Sequence, residues 1–180
     1  SCNTYNMLKL TRDLFTMHPR AVYADYYERA MYNHILSTQH PDHGGYVYFT
    51  PVRPRHYRVY SAANEAMWCC VGTGMENHGK YGEFIYGHTE DTLYVNLFVA
   101  SELNWEAKGV RVRQETRFPD EPGTALTVLT DEPVELTLTI RHPEWVPAGE
   151  LGFTLGRRSW KPDSTPSSYV DITRTWNDGD

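Results

Sequence analysis

Val134-Glu-Leu-Thr-Leu-Thr-Ile140 alternates apolar and polar residues without a break. A period of two is that of a strand with one face buried and one wet, so Val134, Leu136, Leu138 and Ile140 share a core-facing side. Outward from it, Thr92–Ala100, Val110–Phe118, Ala125–Leu129, Leu151–Leu155 and Tyr169–Thr173 also read as strands. Turn chemistry separates them, as in Pro119-Asp-Glu-Pro-Gly123 and Asp131-Glu-Pro133. Short strands at this spacing predict an antiparallel β-sandwich.

Before residue 90 the period changes to that of helices. Met7, Leu10, Leu14 and Met17 recur at i, i+3, i+7 and i+10, and Pro19 stops the pattern. A second helix is predicted from Val22 to Ile35, with Tyr23, Tyr26/Tyr27, Ala30/Met31 and Ile35 on one face. His40 to Pro54 carries prolines and glycines and reads as loop, with a short strand at Tyr46-Val-Tyr-Phe49. A third helix is predicted from just after Cys70 to about Gly87, weakened by its glycines by roughly 1 kcal/mol each. The chain therefore divides into a helical part, residues 1–90, and a β part, residues 91–180. The helical pattern at Ser1 and the closing turn Trp176-Asn-Asp-Gly-Asp180 read as a piece of a longer protein.

Composition narrows the classes. With 40% hydrophobic and 22% charged residues in 180, the chain is neither disordered nor a disulfide miniprotein, and it can bury a sizeable core. The net charge is −6 and the 17 Lys and Arg form no dense patch, which argues against a nucleic-acid partner. No apolar run approaches the roughly 18 residues of a membrane helix. Aromatic residues reach 13%, a level that suits either sugar stacking or core filling.

The three cysteines are Cys2, Cys69 and Cys70. An odd count with two adjacent thiols argues against a disulfide framework. Either of the adjacent thiols could still pair with Cys2; the other readings are buried inert thiols, or ligands of a soft metal completed by a fourth group. Asn64-Glu-Ala-Met-Trp-Cys-Cys-Val-Gly-Thr-Gly-Met-Glu-Asn77 places two of them where a glycine-rich helix starts. A helix N-terminus stabilises anions and lowers thiol pKa.

Three stretches carry a family likeness: Ser1-Cys-Asn-Thr-Tyr-Asn-Met-Leu-Lys-Leu10, Tyr27-Glu-Arg-Ala-Met-Tyr-Asn-His-Ile-Leu36, and Trp68-Cys-Cys-Val-Gly-Thr-Gly-Met-Glu-Asn-His-Gly-Lys-Tyr81. Ile140-Arg-His-Pro-Glu-Trp145 and Ser168-Tyr-Val-Asp-Ile-Thr-Arg-Thr-Trp-Asn-Asp-Gly-Asp180 extend it. Together they resemble glycoside hydrolase family 127 and its close relative family 146, the β-L-arabinofuranosidase-type enzymes. The resemblance implies the end of an (α/α)6 barrel followed by a β-sandwich. It implies a Zn2+ held by Cys2, Cys69 and Cys70 with a Glu that falls just before Ser1, and Cys69 as the nucleophile of a retaining hydrolase. The general acid/base Glu would lie further upstream, so the piece alone is expected to be inactive. Tyr48 matches a tyrosine near the sugar, with Tyr46 as the alternative. The implied partner is an arabinose-containing oligosaccharide or plant glycan, and a barrel cut open would expose apolar helix faces that favour homo-oligomers. Localisation, cytoplasmic or exported, stays open.

Other residues have plainer readings. Glu76 and Glu83 share a helix face near the thiols and read as solvated or packing carboxylates rather than proton donors. His34 and His78 read as hydrogen-bonded histidines, and His40 and His43 as exposed ones. Trp68 either stacks a sugar or fills the core. Arg53, Arg55 and Arg58 carry no assigned role. Two other readings also stand: a non-catalytic β-sandwich with a helical remnant that supports an enzyme or binds sugar, or a family member acting on a different sugar.

Overall fold

A computed structural model describes residues 1–180 and divides the chain into two compact units. Unit 1 comprises residues 1–19 and 23–83, and unit 2 comprises residues 20–22 and 84–180. No helix is long and apolar enough to cross a membrane.

Unit 1 is helical. Helix α1 spans Cys2–Met17 and α2 begins at Ala21 and runs to Ala30. The latter continues as a π-turn over Met31–Ile35 and a 3-10 turn over Leu36–Thr38. Helix α3 spans Cys69–His78 and ends at Gly79, so it is shorter than the glycine-tolerant reading to Gly87, and a 3-10 turn at Tyr81–Phe84 follows. The α1 stripe expected from sequence faces the wrong way. Tyr5, Leu8, Thr11 and Phe15 are buried, whereas Met7, Leu10, Leu14 and Met17 are exposed, Met17 by 82%. Both stripes fit a 3.6-residue period, and periodicity cannot say which one finds a neighbour. The expected α2 face fares better: Tyr27, Ala30, Met31 and Ile35 are buried, and Tyr26 is not. Tyr46-Val-Tyr-Phe49 forms no strand. Only single bridges occur, Gln39 to Tyr46 and Val47 to Tyr60, because no longer strand lies alongside to extend the ladder.

Unit 2 is built of two facing sheets and a hairpin. Strands β1 (Tyr86–His88), β2 (Thr92–Val95), β6 (Val134–His142) and β9 (Ser168–Trp176) form one sheet in the order β1-β2-β6-β9. Strands β3 (Ser101–Trp105), β4 (Val110–Thr116) and β5 (Thr124–Thr130) form the other. A hairpin joins β7 (Phe153–Leu155) to β8 (Arg158–Trp160). All pairings are antiparallel except β2 with β6, which is parallel. The sheet is therefore mixed. The chain leaves β2, builds the whole second sheet, and re-enters beside β2 in the same direction, as a parallel neighbour requires. The single segment expected over Thr92–Ala100 is cut at Asn96, and β3 starts at Ser101.

One core draws on both sheets. Leu93, Val95, Leu136, Leu138, Ile140 and Trp176 meet Trp105, Val110, Val112 and Val128. The opening alternation of β6 holds as far as Leu138, while Thr137 and Thr139 bond to Thr173 Oγ1 (2.8 Å) and Asp171 Oδ1 (2.7 Å) of β9 on the other side. Past it, Ile140, Arg141 and His142 are all buried. Arg141 Nε donates to the Asn96 carbonyl at 2.7 Å, and its guanidinium lies 5.3 Å from the centre of the Phe98 ring. The His142 ring reaches Ser164 Oγ at 2.8 Å and the Val146 carbonyl at 2.9 Å. The Arg-His pair thus ties the end of β6 to loops on either side. The terminal turn is tied as well: Val128 N–H donates to the Asp180 carbonyl at 2.8 Å and Gly179 N–H to the Val128 carbonyl at 2.9 Å.

Leu138 lies at the centre of this core, 2% exposed. Leu138→Ala is expected to cost about 2–5 kcal/mol. Chemical denaturation followed by tryptophan fluorescence measures it, as a lower midpoint at unchanged slope.

Candidate functional site

The first residue of α1 and the first two of α3 converge. Cys2, Cys69 and Cys70 place their sulfurs all within 4.8 Å of one another, and Cys2 Sγ lies 3.5 Å from Cys70 Sγ. None is in a disulfide. A tetrahedral ion with bonds of about 2.3 Å to sulfur would hold two sulfurs about 3.8 Å apart, so the set fits a zinc-sized thiolate site with one position left for a further ligand.

The three differ in surroundings. Cys70 is buried, Cys2 is half-buried and Cys69 is exposed. Thr73 Oγ1 donates to Cys2 Sγ at 3.2 Å, and the Ser1 backbone nitrogen donates to Cys70 Sγ at 3.7 Å. Burial pushes Cys70 up, but hydrogen bonds from Cys2 and Ser1 outweigh it and bring it down to about 7. Contact with Cys2 raises Cys69. Three sulfurs this close cannot all shed their protons without a cation among them.

Trp68 caps α3 on its N-terminal side with extended backbone, so the chain turns into the helix at the thiol pair. The half-exposed Tyr48 sets its ring edge-on to Trp68 at 6.3 Å and against Phe49 at 4.6 Å. With Val52, Arg53, His56 and Tyr57 these rings line an open concavity of about 1150 Å³. Tyr46, a loop residue, lies away from this concavity and packs against α3. A Cβ built at Gly74 would fall 2.3 Å from its ring, so glycine is what lets Tyr46 pack against α3.

The nearby carboxylates and histidines have partners of their own. Glu83 pairs with Lys80 at 2.6 Å and with Arg12, and the Lys80 hydrogen bond holds its carboxyl below the usual range. A general acid needs the opposite shift. Glu76 sits beside Tyr5, whose hydroxyl is pushed up to about 12 by burial first and then by that carboxylate. His78 bonds the Gly74 carbonyl at 2.8 Å and His34 bonds Thr4 at 2.9 Å. His40 and His43 stack on each other at 3.8 Å. Sequence reasoning passed over Thr73. Its signal was the spacing Cys69-Cys-Val-Gly-Thr73, which brings a hydroxyl one helical turn beyond the thiols on their own face.

A helical unit with a thiol cluster where two helices begin, followed by a mainly β unit, defines a two-unit protein whose cysteines all lie in the helical half. Two family models match it. The β-L-arabinofuranosidase GH127 catalytic domain matches residues 1–83, and the β-L-arabinofuranosidase GH127 middle domain matches residues 92–180. The chain belongs to the GH127 β-L-arabinofuranosidase family. Among solved structures it is similar to a GH127 β-L-arabinofuranosidase from Geobacillus stearothermophilus T6, with 27% identity over 97% of this chain and 29% of that one and a TM-score of 0.80. A glycoside hydrolase matches in fold at 22% identity, over 99% of this chain and 31% of that one, with a TM-score of 0.83. A GH127 β-arabinofuranosidase matches in fold at 23% identity, over 99% of this chain and 30% of that one, with a TM-score of 0.79. The chain thus spans about three-tenths of the length of these structures. No curated protein matches it in sequence.

Two glycines of α3 should respond in opposite ways. At Gly72 an added Cβ meets nothing within 4 Å, and Gly72→Ala should stabilise the helix by up to about 1 kcal/mol. Gly74→Ala forces the Tyr46 ring aside and should cost about 1–3 kcal/mol. Thermal unfolding of the two variants of the full-length protein gives the comparison.

Proposed function

We propose that this chain is the thiol-bearing part of a retaining glycoside hydrolase that releases L-arabinofuranose from β-L-arabinofuranosides, with Cys69 as nucleophile. The observation that carries this is the convergence of three sulfurs, one of them exposed, where α1 and α3 begin. Residues 1–90 are read as the end of an (α/α)6 catalytic barrel, and residues 91–180 as a β-sandwich that supports it. The exposed stripe Met7, Leu10, Leu14 and Met17 supports the barrel reading, since further helices would cover it.

Cys2, Cys69 and Cys70 are the residues that would hold Zn2+. When bound, the ion supplies a positive charge that keeps the sulfurs ionised and fixes their directions. The chain's own residues do the rest. Cys69, at the first position of α3, presents its sulfur at the helix N-terminus, where the backbone N–H groups favour negative charge. The thiolate attacks the anomeric carbon from one face, and a carbon–sulfur bond forms as the glycosidic carbon–oxygen bond breaks. A carboxylic acid supplied from outside this segment protonates the departing oxygen; its carboxylate then takes a proton from water as the water oxygen bonds to the anomeric carbon and the carbon–sulfur bond breaks to return the thiolate, so two inversions give net retention. Cys70, buried below, and Cys2 anchor the set. Tyr48 is read as the tyrosine that meets the sugar, a reading supported by its edge-on contact with Trp68. An arabinose-bearing oligosaccharide or plant glycan is the substrate class.

The experiment is covalent labelling of the full-length enzyme with an electrophilic arabinofuranoside that traps the nucleophile. The adduct is expected on the peptide containing Cys69, and on that residue alone. Cys69→Ser should reduce hydrolysis of a nitrophenyl β-L-arabinofuranoside to background, because an alkoxide is far harder to form than a thiolate near neutral pH. Metal analysis should return about one zinc per chain. An adduct on Cys70 or on a carboxylate, with Cys69 unmodified, would overturn the assignment.

A further inference from the structure

The three sulfurs of the thiol centre are capped unequally. Cys70 accepts from the Ser1 backbone nitrogen, Cys2 accepts from the Thr73 hydroxyl at 3.2 Å, and no hydroxyl or backbone donor reaches Cys69. The donor on Cys2 is the informative one, because Thr73 had another use for its proton. A threonine inside a helix commonly returns its hydroxyl to the carbonyl four residues back, which here is that of Cys69. Thr73 instead points across from α3 to α1 and spends its one donor on a sulfur 71 residues away. Its neighbours do not force this. Gly72 is open on its outer side, and Thr73 itself is only half-buried.

Such a bond has two physical effects. It selects one side-chain rotamer for Cys2, which sits in the first turn of α1, where the chain is least constrained by its own helix. It also removes charge from that sulfur, as outer hydrogen bonds to metal-binding groups do. Cys2 is then held by a hydroxyl and Cys70 by a nitrogen, while Cys69, in contact with sulfur alone, lies on the exposed side.

We propose that Thr73 is a positioning residue of the thiol centre: its hydroxyl fixes the direction and charge of Cys2 so that Cys2 serves as a holding ligand while Cys69 stays free to react. This rests on the zinc–thiolate reading given above, and the test separates the two.

The test uses full-length enzyme with Co2+ in place of Zn2+, because sulfur-to-cobalt charge transfer reports the charge on the thiolates directly. Four forms are compared: the parent, Thr73→Val, Thr73→Ala and Thr73→Ser. Valine keeps the shape and loses the hydroxyl, and alanine loses both but favours the helix, so a hydroxyl-free form is secured even if valine packs poorly. Without the hydroxyl the charge-transfer band should move to longer wavelength, and metal affinity measured by chelator competition should fall about 10–100-fold. Thr73→Ser should restore both. A packing role predicts the reverse order, with valine close to the parent and serine impaired, and that result overturns the proposal. Unchanged band and affinity in both the valine and alanine forms also overturn it while leaving the zinc reading intact. A parent enzyme that takes up no metal ion sinks both.

Discussion

Two helices that start far apart in the sequence have their first residues held against each other. Cys2 and Cys70 touch through their sulfurs, and Cys69 is brought in beside them. Everything of chemical interest in the helical unit follows from that meeting. Helix N-termini carry unsatisfied N–H groups and a partial positive charge, and that is where sulfur is most readily ionised. Bringing two such ends together gathers three thiols that neither helix could gather alone. The packing around them looks arranged to permit it. Gly74, one turn into α3, makes room for the Tyr46 ring where any side chain would collide, and so the loop can lie close to the helix that bears the thiols.

The β unit shows a different logic. Its core is shared by two sheets, yet two large polar side chains are buried at the end of β6. Arg141 and His142 have no exposed surface. An arginine in that position is tolerable only with its donors satisfied, and the Asn96 carbonyl and the face of Phe98 provide part of that. Asn96 in turn accepts a hydrogen bond from the Tyr169 hydroxyl at 2.6 Å. The chain break between β2 and β3 is therefore pinned by residues from β6 and β9.

Much of this was legible in the sequence, and unevenly so. The alternation of Val134–Ile140 and the turn clusters around it identified most strands, because a strand with one wet face writes its period directly into side-chain polarity. The short strands Tyr86–His88 and Arg158–Trp160 carry too few residues to show a period. The parallel partner of β6 was hidden for another reason: pairing direction depends on where the chain returns, which no local pattern records. On α1 both stripes of the helix are apolar, and only packing could choose between Tyr5-Leu8-Phe15 and Met7-Leu10-Leu14. At the site, the adjacent thiols before a glycine-rich helix were plain. Their convergence with Cys2 was not contained in any spacing and came only from the family likeness. Thr73 went unnoticed because a threonine mid-helix has an ordinary role.

The separation between Cys2 and Cys70 also has a meaning for the unfolded chain. Any link between them, whether a bound ion or a covalent bridge, closes a loop across 68 positions of sequence. By the chain-entropy argument for crosslinks, closing a loop of that size removes freedom from the denatured ensemble equivalent to about 4 kcal/mol. A zinc finger recruits its ligands from neighbouring turns and can assemble before the rest of a protein exists. Here the three thiols come from the starts of two helices, so an ion held among them would fasten together segments that lie far apart along the chain.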